Sequence, residues 1–148
     1  MIIKLQPDQI PLFWDLTKHG IVSSYKIPKE FQQDFTLKYL ENLLLGNYQC
    51  WVVYSLDEKE DKRLTAIVCS KIVDEKEYGI RTLMLIGVYG FRLITDEAID
   101  EAITEFEKFA LANNCNVIAT EHRLKRVEDI LNRMGFEKHI TVSRKVLT

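Results

Sequence analysis

Apolar positions along the chain follow two periods, and the switch between them lays out the elements. Met1 to Leu5 is a short aliphatic run stopped by Pro7, which reads as a first strand. Asp8 is placed to cap a helix whose apolar positions Ile10, Phe13, Trp14 and Ile21 share a face, with Gly20 marking a break or end. Pro28 suits the first turn of a second helix, in which Phe31, Phe35, Tyr39, Leu40, Leu43 and Leu44 recur at helical spacing until Gly46 caps it. Tyr48 to Ser55 and Leu64 to Val73 are rich in aromatic and β-branched residues. The charged link between them and the polar link from Asp74 to Tyr78 are short, so two antiparallel hairpins in succession are predicted.

The stretch from Gly79 to Asn113 carries the strongest signal. Thr82 to Val88 is apolar or glycine almost without alternation, the pattern of a strand covered on both faces, and is predicted to be central. Gly87 inside it predicts a bulge or a close backbone approach that opens the sheet beside the next strand. Thr95 is a good N-cap, Asp96 and Glu97 follow where the helix dipole favours negative charge, and Ile99, Ala102, Ile103, Phe106, Phe109 and Ala110 form one stripe. Asn113 and Asn114 end this helix, and Cys115 to Thr120 reads as a short strand. A helix separates it from the strand ending at Val88, so the two are predicted to be parallel neighbours joined by a right-handed crossover. A last helix carries Leu124, Val127, Ile130, Leu131 and Met134 on one face and is capped by Gly135. From Phe136 to Leu147, Ile140 and Val142 alternate with Thr141 and Ser143 as in a half-exposed closing strand.

Composition narrows the class. A chain of 148 residues suits one domain, and 47% hydrophobic with 28% charged residues is ordinary for a soluble globular protein. A formal charge of −2 argues against a general nucleic-acid binder. Cys50, Cys69 and Cys115 are odd in number and widely spaced, without the pairing of a zinc or redox motif, which suits a reducing compartment. The N-terminus lacks the basic-then-apolar pattern of a targeting segment and no apolar run approaches the roughly 20 residues needed to span a bilayer, so a cytoplasmic protein is expected.

The element order, the length and the closing segment from Ile130 to Val146 resemble the Gcn5-related N-acetyltransferases (GNAT superfamily), whose last helix ends in a Gly-Phe pair, here Gly135 and Phe136. The resemblance implies an α/β fold with an α+β mixed sheet in the order β-α-α-β-β-β-α-β-α-β, residues 1–148 forming a single GNAT-like domain. It also implies an acetyl-CoA-dependent N-acyltransferase activity. In that family the loop after the fourth strand carries an Arg/Gln-x-x-Gly-x-Gly/Ala signature, whose backbone N–H groups hold the pyrophosphate at a helix N-terminus. The matching stretch here is Val88 to Glu101. The resemblance thus assigns Val88, Gly90, Phe91, Arg92 and Thr95 to the cofactor, and Arg126 to its nucleotide end. Tyr89, directly after the strand where the family's acetyl group lies, and Glu121, at the end of the next, become the candidate acid and base.

The chain departs from the family at these positions. No second glycine follows Gly90 into the helix, and Asp96, Glu97, Asp100 and Glu101 set carboxylates where a phosphate would sit. Like charges a few ångströms apart repel by about 1 kcal/mol even in a water-like dielectric, whereas the helix dipole alone accounts for these acids. The family's usual tyrosine acid, four residues before the Gly-Phe pair, is Leu131, and Leu124 stands near the place of an asparagine that often opens the last helix. Transfer to an amine needs both a base and an acid. Tyr89 is equally explained as an aromatic anchoring a strand end. Glu121 and His122 are adjacent and point to opposite faces of a strand. His19 and His139 lack ligand spacing, so no metal is expected, and nothing orients His122 on Cys115 as a thiol nucleophile would require. The basic patch of Arg123, Lys125, Arg126 and Arg133 has no interleaved aromatics, which disfavours nucleic acid as a partner.

The reading is a GNAT-like protein with degenerate acetyl-CoA and catalytic motifs, expected to bind acetyl-CoA weakly or not at all. Its alternative is a catalytically silent binding or structural protein, for example a phage virion-associated component found in the host cytoplasm or the virion. The partner is then a protein, against a small amine or peptide acceptor for an active enzyme, with no membrane in either case.

Overall fold

The computed structural model describes residues 1–121, 125–140, 142–145 and 147, with Arg126 described by its backbone alone. Five strands, β1 (Ile2–Lys4), β2 (Tyr48–Leu56), β3 (Lys62–Glu75), β4 (Ile80–Gly90) and β5 (Val117–Thr120), lie side by side in chain order. The pairs β1–β2, β2–β3 and β3–β4 are antiparallel; β4–β5 is parallel, with Thr82 opposite Val117 and Leu85 opposite Thr120. Helices α1 (Ile10–Tyr25) and α2 (Lys29–Leu44) cover one face of the sheet; α3 (Asp96–Ala112) and α4 (Lys125–Arg133) cover the other. The parallel pair and its helical crossover are as the sequence predicts.

The middle of the sheet is β3, not β4. Chain order in the sheet puts the third strand there, and Thr65 to Ser70 are buried without a break because side chains on both faces meet helices. In β4, Leu83 and Leu85 are buried against α3 while Met84 and Ile86 on the other face are only half-buried. Two cores result. On the α3 side Trp51 meets Phe106 and Phe109 edge to face, each at 5.1 Å, while its Nε1 donates to Ser70 Oγ at 3.0 Å. That bond satisfies a polar group that burial would otherwise penalise. On the α1 and α2 side Leu5, Ile10, Ile21, Tyr39 and Leu43 close over Cys50, Val52, Ile67 and Cys69.

Three further expectations are corrected. Helix α1 runs unbroken through Gly20, whose role is close approach: a Cβ there would lie 2.8 Å from both Cβ and Cγ of Tyr89 on β4. The entry to α1 is a single 3₁₀ turn at Pro7–Gln9 in which Gln6 and Gln9 bond each other, so Asp8 sits inside the turn and is not its cap. The described part of the closing segment, residues 136–140 and 142–145, joins no ladder, and Ile140 and Val142 are exposed. Thr141, the partner in the predicted alternation, lies outside the described residues. The segment is held instead at the end of α1. Lys26 there takes a left-handed φ of 47°, the helix stops, and Arg144 donates to the freed carbonyls of Tyr25 and Lys26 at 2.9 and 3.2 Å.

Candidate cofactor and acceptor site

The site begins with one extra residue. Ser70 lies opposite Leu85 and Cys69 opposite Gly87, so Ile86 is bulged out of the β3–β4 ladder. The bulge shifts side-chain alternation by one, because paired residues share a face. Gly87 and Tyr89 therefore turn to the α1 side with Cys69 and Ile67, and Val88 turns to the α3 side with Val68. The bulge stands one residue before the predicted Gly87. The ladder to β5 ends at Leu85, so beyond it β4 keeps a neighbour on the β3 side only. Phe91 N–H donates to Thr65 O at 2.8 Å, so by alternation the carbonyl of Val88 faces the open side. Ser24 Oγ of α1 reaches that carbonyl at 3.4 Å.

Between α1 and β4 almost no space is left. The crevice lined by Gly20, Ser24, Cys69, Gly87, Val88 and Tyr89 holds about 10 Å³, which is about one water molecule. Tyr89 is half-buried and wedged edge-on between the rings of His19 at 5.6 Å and Phe91 at 4.7 Å. An acyl thioester enters there only if α1 parts from β4.

The loop to α3 folds over its own glycine: a Cβ on Gly90 would meet Ile94 Cδ1 at 3.4 Å and Arg92 O at 3.5 Å. Arg92 and Leu93 are exposed. Thr95 caps α3 as predicted, its Oγ1 accepting from Ala98 N at 3.2 Å. At the first turn the Asp96 carboxylate meets the guanidinium of Arg133, on α4, at 3.2 Å. An open crevice of about 220 Å³ runs between the two helices, lined by Asp96, Asp100, Ile130, Arg133 and Met134. Glu101 faces the Met1 ammonium at 3.2 Å.

By sequence, no family model and no curated protein matches the chain. By structure the likeness is end to end. A putative acetyl transferase from Pyrococcus furiosus superposes at a TM-score of 0.68, covering 99% of this chain and 100% of its own, at 14% identity. A predicted acetyltransferase with acetyl-CoA from Clostridium acetobutylicum gives 0.67 over 99% and 95%, at 13% identity. The ribosomal-protein-alanine N-acetyltransferase of Brucella melitensis biovar Abortus 2308 gives 0.64 over 100% and 99%, at 13% identity. The fold is that of the Gcn5-related N-acetyltransferases.

Within this GNAT fold the residues assigned from sequence do not gather at one place. Val88 and Tyr89 line the narrow crevice at α1; Glu121 is exposed just past β5 and lines neither crevice. Leu131, at the position of the family's tyrosine, is buried in the α3-side core. His122, Arg123 and Leu124, and the side chain of Arg126, lie outside the described residues. Of the basic patch, Lys125 pairs with Asp129 at 2.9 Å and Arg133 with Asp96. Cys115 is buried on the α3 side, and among the described residues no group of three or more His, Cys, Asp or Glu side chains is placed to hold a metal.

Sequence reasoning missed the Asp96–Arg133 pair and the reach of Ser24 to Val88. Each joins residues far apart in the chain, and neither has a local spacing signal.

Proposed function

We propose that this GNAT-fold protein serves as a binding or structural component and does not work as an acetyl-CoA-dependent N-acyltransferase. The observation that carries this reading is the Asp96–Arg133 pair on the first turn of α3. A helix N-terminus attracts an anion through its free N–H groups and its dipole. Here the chain supplies that anion itself, with Asp100 beside it in the same crevice. A pyrophosphate approaching this turn meets like charge, and the loop that would wrap it is closed over Gly90 by Ile94. The residues present do not fit the cofactor. The chemistry is equally ill served, since Leu131 is a packed hydrophobic residue and Tyr89 is wedged between aromatic rings.

Two observations favour the second reading, an N-acyltransferase. The fork between β4 and β5 persists and exposes the Val88 carbonyl edge, and a neighbour of the same fold is a structure with acetyl-CoA. In that reading Val88, Gly90, Phe91, Arg92, Thr95 and Arg126 meet the cofactor, Tyr89 donates to the leaving thiolate and Glu121 takes the amine proton. Calorimetric titration with acetyl-CoA separates the two. The binding or structural role predicts no saturable heat in the micromolar range, and a micromolar Kd would reverse the order of the readings.

A further inference from the structure

The structure points to a modification site unrelated to the acetyltransferase fork: Cys50 and Cys69, buried side by side under α1 and α2, form a dithiol that a peroxide converts to an intramolecular disulfide. The two residues are direct partners in the β2–β3 register and belong to the same buried cluster, so their side chains leave the sheet on the same face. The carbonyl of Cys50 accepts from Leu5 N at 2.8 Å, on the β1 side of the strand. Its backbone groups therefore point away from β3, which makes Cys50–Cys69 a non-hydrogen-bonded pair of the antiparallel ladder. In such pairs the Cα atoms stand about 4.5 Å apart and the side chains approach most closely. That spacing lies within the roughly 4.4 to 6.8 Å that a disulfide spans without backbone movement. The register thus sets two free thiols, 1–2% exposed, side by side at a pair position whose usual Cα spacing a disulfide can span.

The surroundings are those of a reactive pair. Contact with the Cys69 thiol, with help from the Thr17 hydroxyl, holds the Cys50 thiol below its ordinary value, and its neighbour's proximity and burial push Cys69 up. Burial drives the Tyr39 phenol far up, so it stays protonated beside Cys69. Access is by the crevice that Cys69 lines with Gly87 and Tyr89, whose volume of about 10 Å³ holds one water at rest, so a peroxide enters with a slight parting of α1 from β4 that is far too small for a glutathione. One thiolate of the pair attacks the O–O bond of hydrogen peroxide, giving a sulfenic acid and water. The other sulfur then displaces the sulfenic oxygen as a second water. Two thiols lose two protons and two electrons, and one peroxide is reduced to two waters. Cys115 lies in the core on the other side of the sheet and stays out of the reaction.

The test treats the folded, reduced protein with hydrogen peroxide, quenches with catalase, alkylates under denaturing conditions and maps peptides without reductant. The expected result is loss of two hydrogen masses, a cross-linked peptide pair containing Cys50 and Cys69, full alkylation of Cys115, and reversal by dithiothreitol. The Cys115→Ser variant, which leaves the α1-side core untouched, should form the same cross-link. Either of two results overturns the proposal: Cys50 and Cys69 both recovered as alkylated or singly oxygenated thiols, or a cross-link that includes Cys115. Oxidised glutathione in place of peroxide should leave the pair reduced on the same time scale; rapid cross-linking by it would contradict the access route.

Discussion

On the side of the sheet covered by α1 and α2, the end of β4 is shut. Gly20 lets the helix descend onto Tyr89, Ser24 reaches the Val88 carbonyl, and about 10 Å³ remain between them. On the side covered by α3 and α4, a crevice of about 220 Å³ lies open between the two helices, and the groups around it are charged. Two acids and an arginine stand there over a floor of Ile130 and Met134. One side is filled, and the other is open and charged. A fold shared over the whole chain thus fixes the strands and helices, while the chain's own side chains decide what space and charge lie between them.

The largest effects should come from the two cores that this comparison separates. Leu83→Ala on the α3 side and Leu43→Ala on the α2 side, at 0% and 1% exposure, should each lower stability by about 2 to 5 kcal/mol in urea unfolding. The sheet stands between them, so the double variant should be additive to within about 0.5 kcal/mol; strong coupling would mean the faces are not independent.

Gly20→Ala comes next. Its new Cβ meets Tyr89 Cβ and Cγ at 2.8 Å, and overpacking of this kind costs about 1 to 3 kcal/mol. Adding Tyr89→Ala removes Cγ and the ring and should restore part of the loss. A neutral Gly20→Ala would show that α1 is not clamped to β4.

Asp96→Asn should cost less than about 1 kcal/mol, since both partners of the ion pair are at least half exposed. The loss should shrink further in high salt. A larger, salt-insensitive loss would mean that the charged crevice is a structural joint.

The smallest effect belongs to the β2–β3 loop, away from both crevices. The Arg63 guanidinium, with the Asp61 N–H, holds the Asp57 carboxyl below its ordinary value. A group depressed in the folded state stabilises above the unfolded carboxyl range and loses that contribution as pH falls through the folded value. Asp57→Asn should therefore leave a shallower decline of stability below about pH 4. An unchanged acid limb would remove Asp57 from the account.

What the sequence displayed and what it hid divide along the same line. The stripe of α3, the Thr95 cap and the parallel crossover were legible because each rests on local spacing or on one connection rule. The apolar run of β4 suggests a central strand because it shows the character of its side chains and not how fully each face is covered, and here Met84 and Ile86 are only half-buried one strand from the centre. Gly20 was read as a break because sequence shows a missing side chain but not the tyrosine that needs its space. The closing strand was expected from alternation alone, which says nothing of where Arg144 finds acceptors. At the site, the acids on α3 were visible in the sequence, but their partner Arg133 lies 37 residues away and no pattern links the two.

The most direct test is an amide-resolved NMR titration of the unmodified protein with acetyl-CoA at low salt. It follows the N–H signals of Ile94 to Ala98 at the α3 N-terminus and of Gly87 to Gly90 along the fork. The account predicts that neither set moves in a saturable way up to millimolar ligand, while the Asp96→Asn/Glu97→Gln double variant shows movement at Ile94 to Ala98. Saturable shifts of both sets in the unmodified protein at micromolar ligand would show that the chain's own charges do not guard the turn, and would contradict the account.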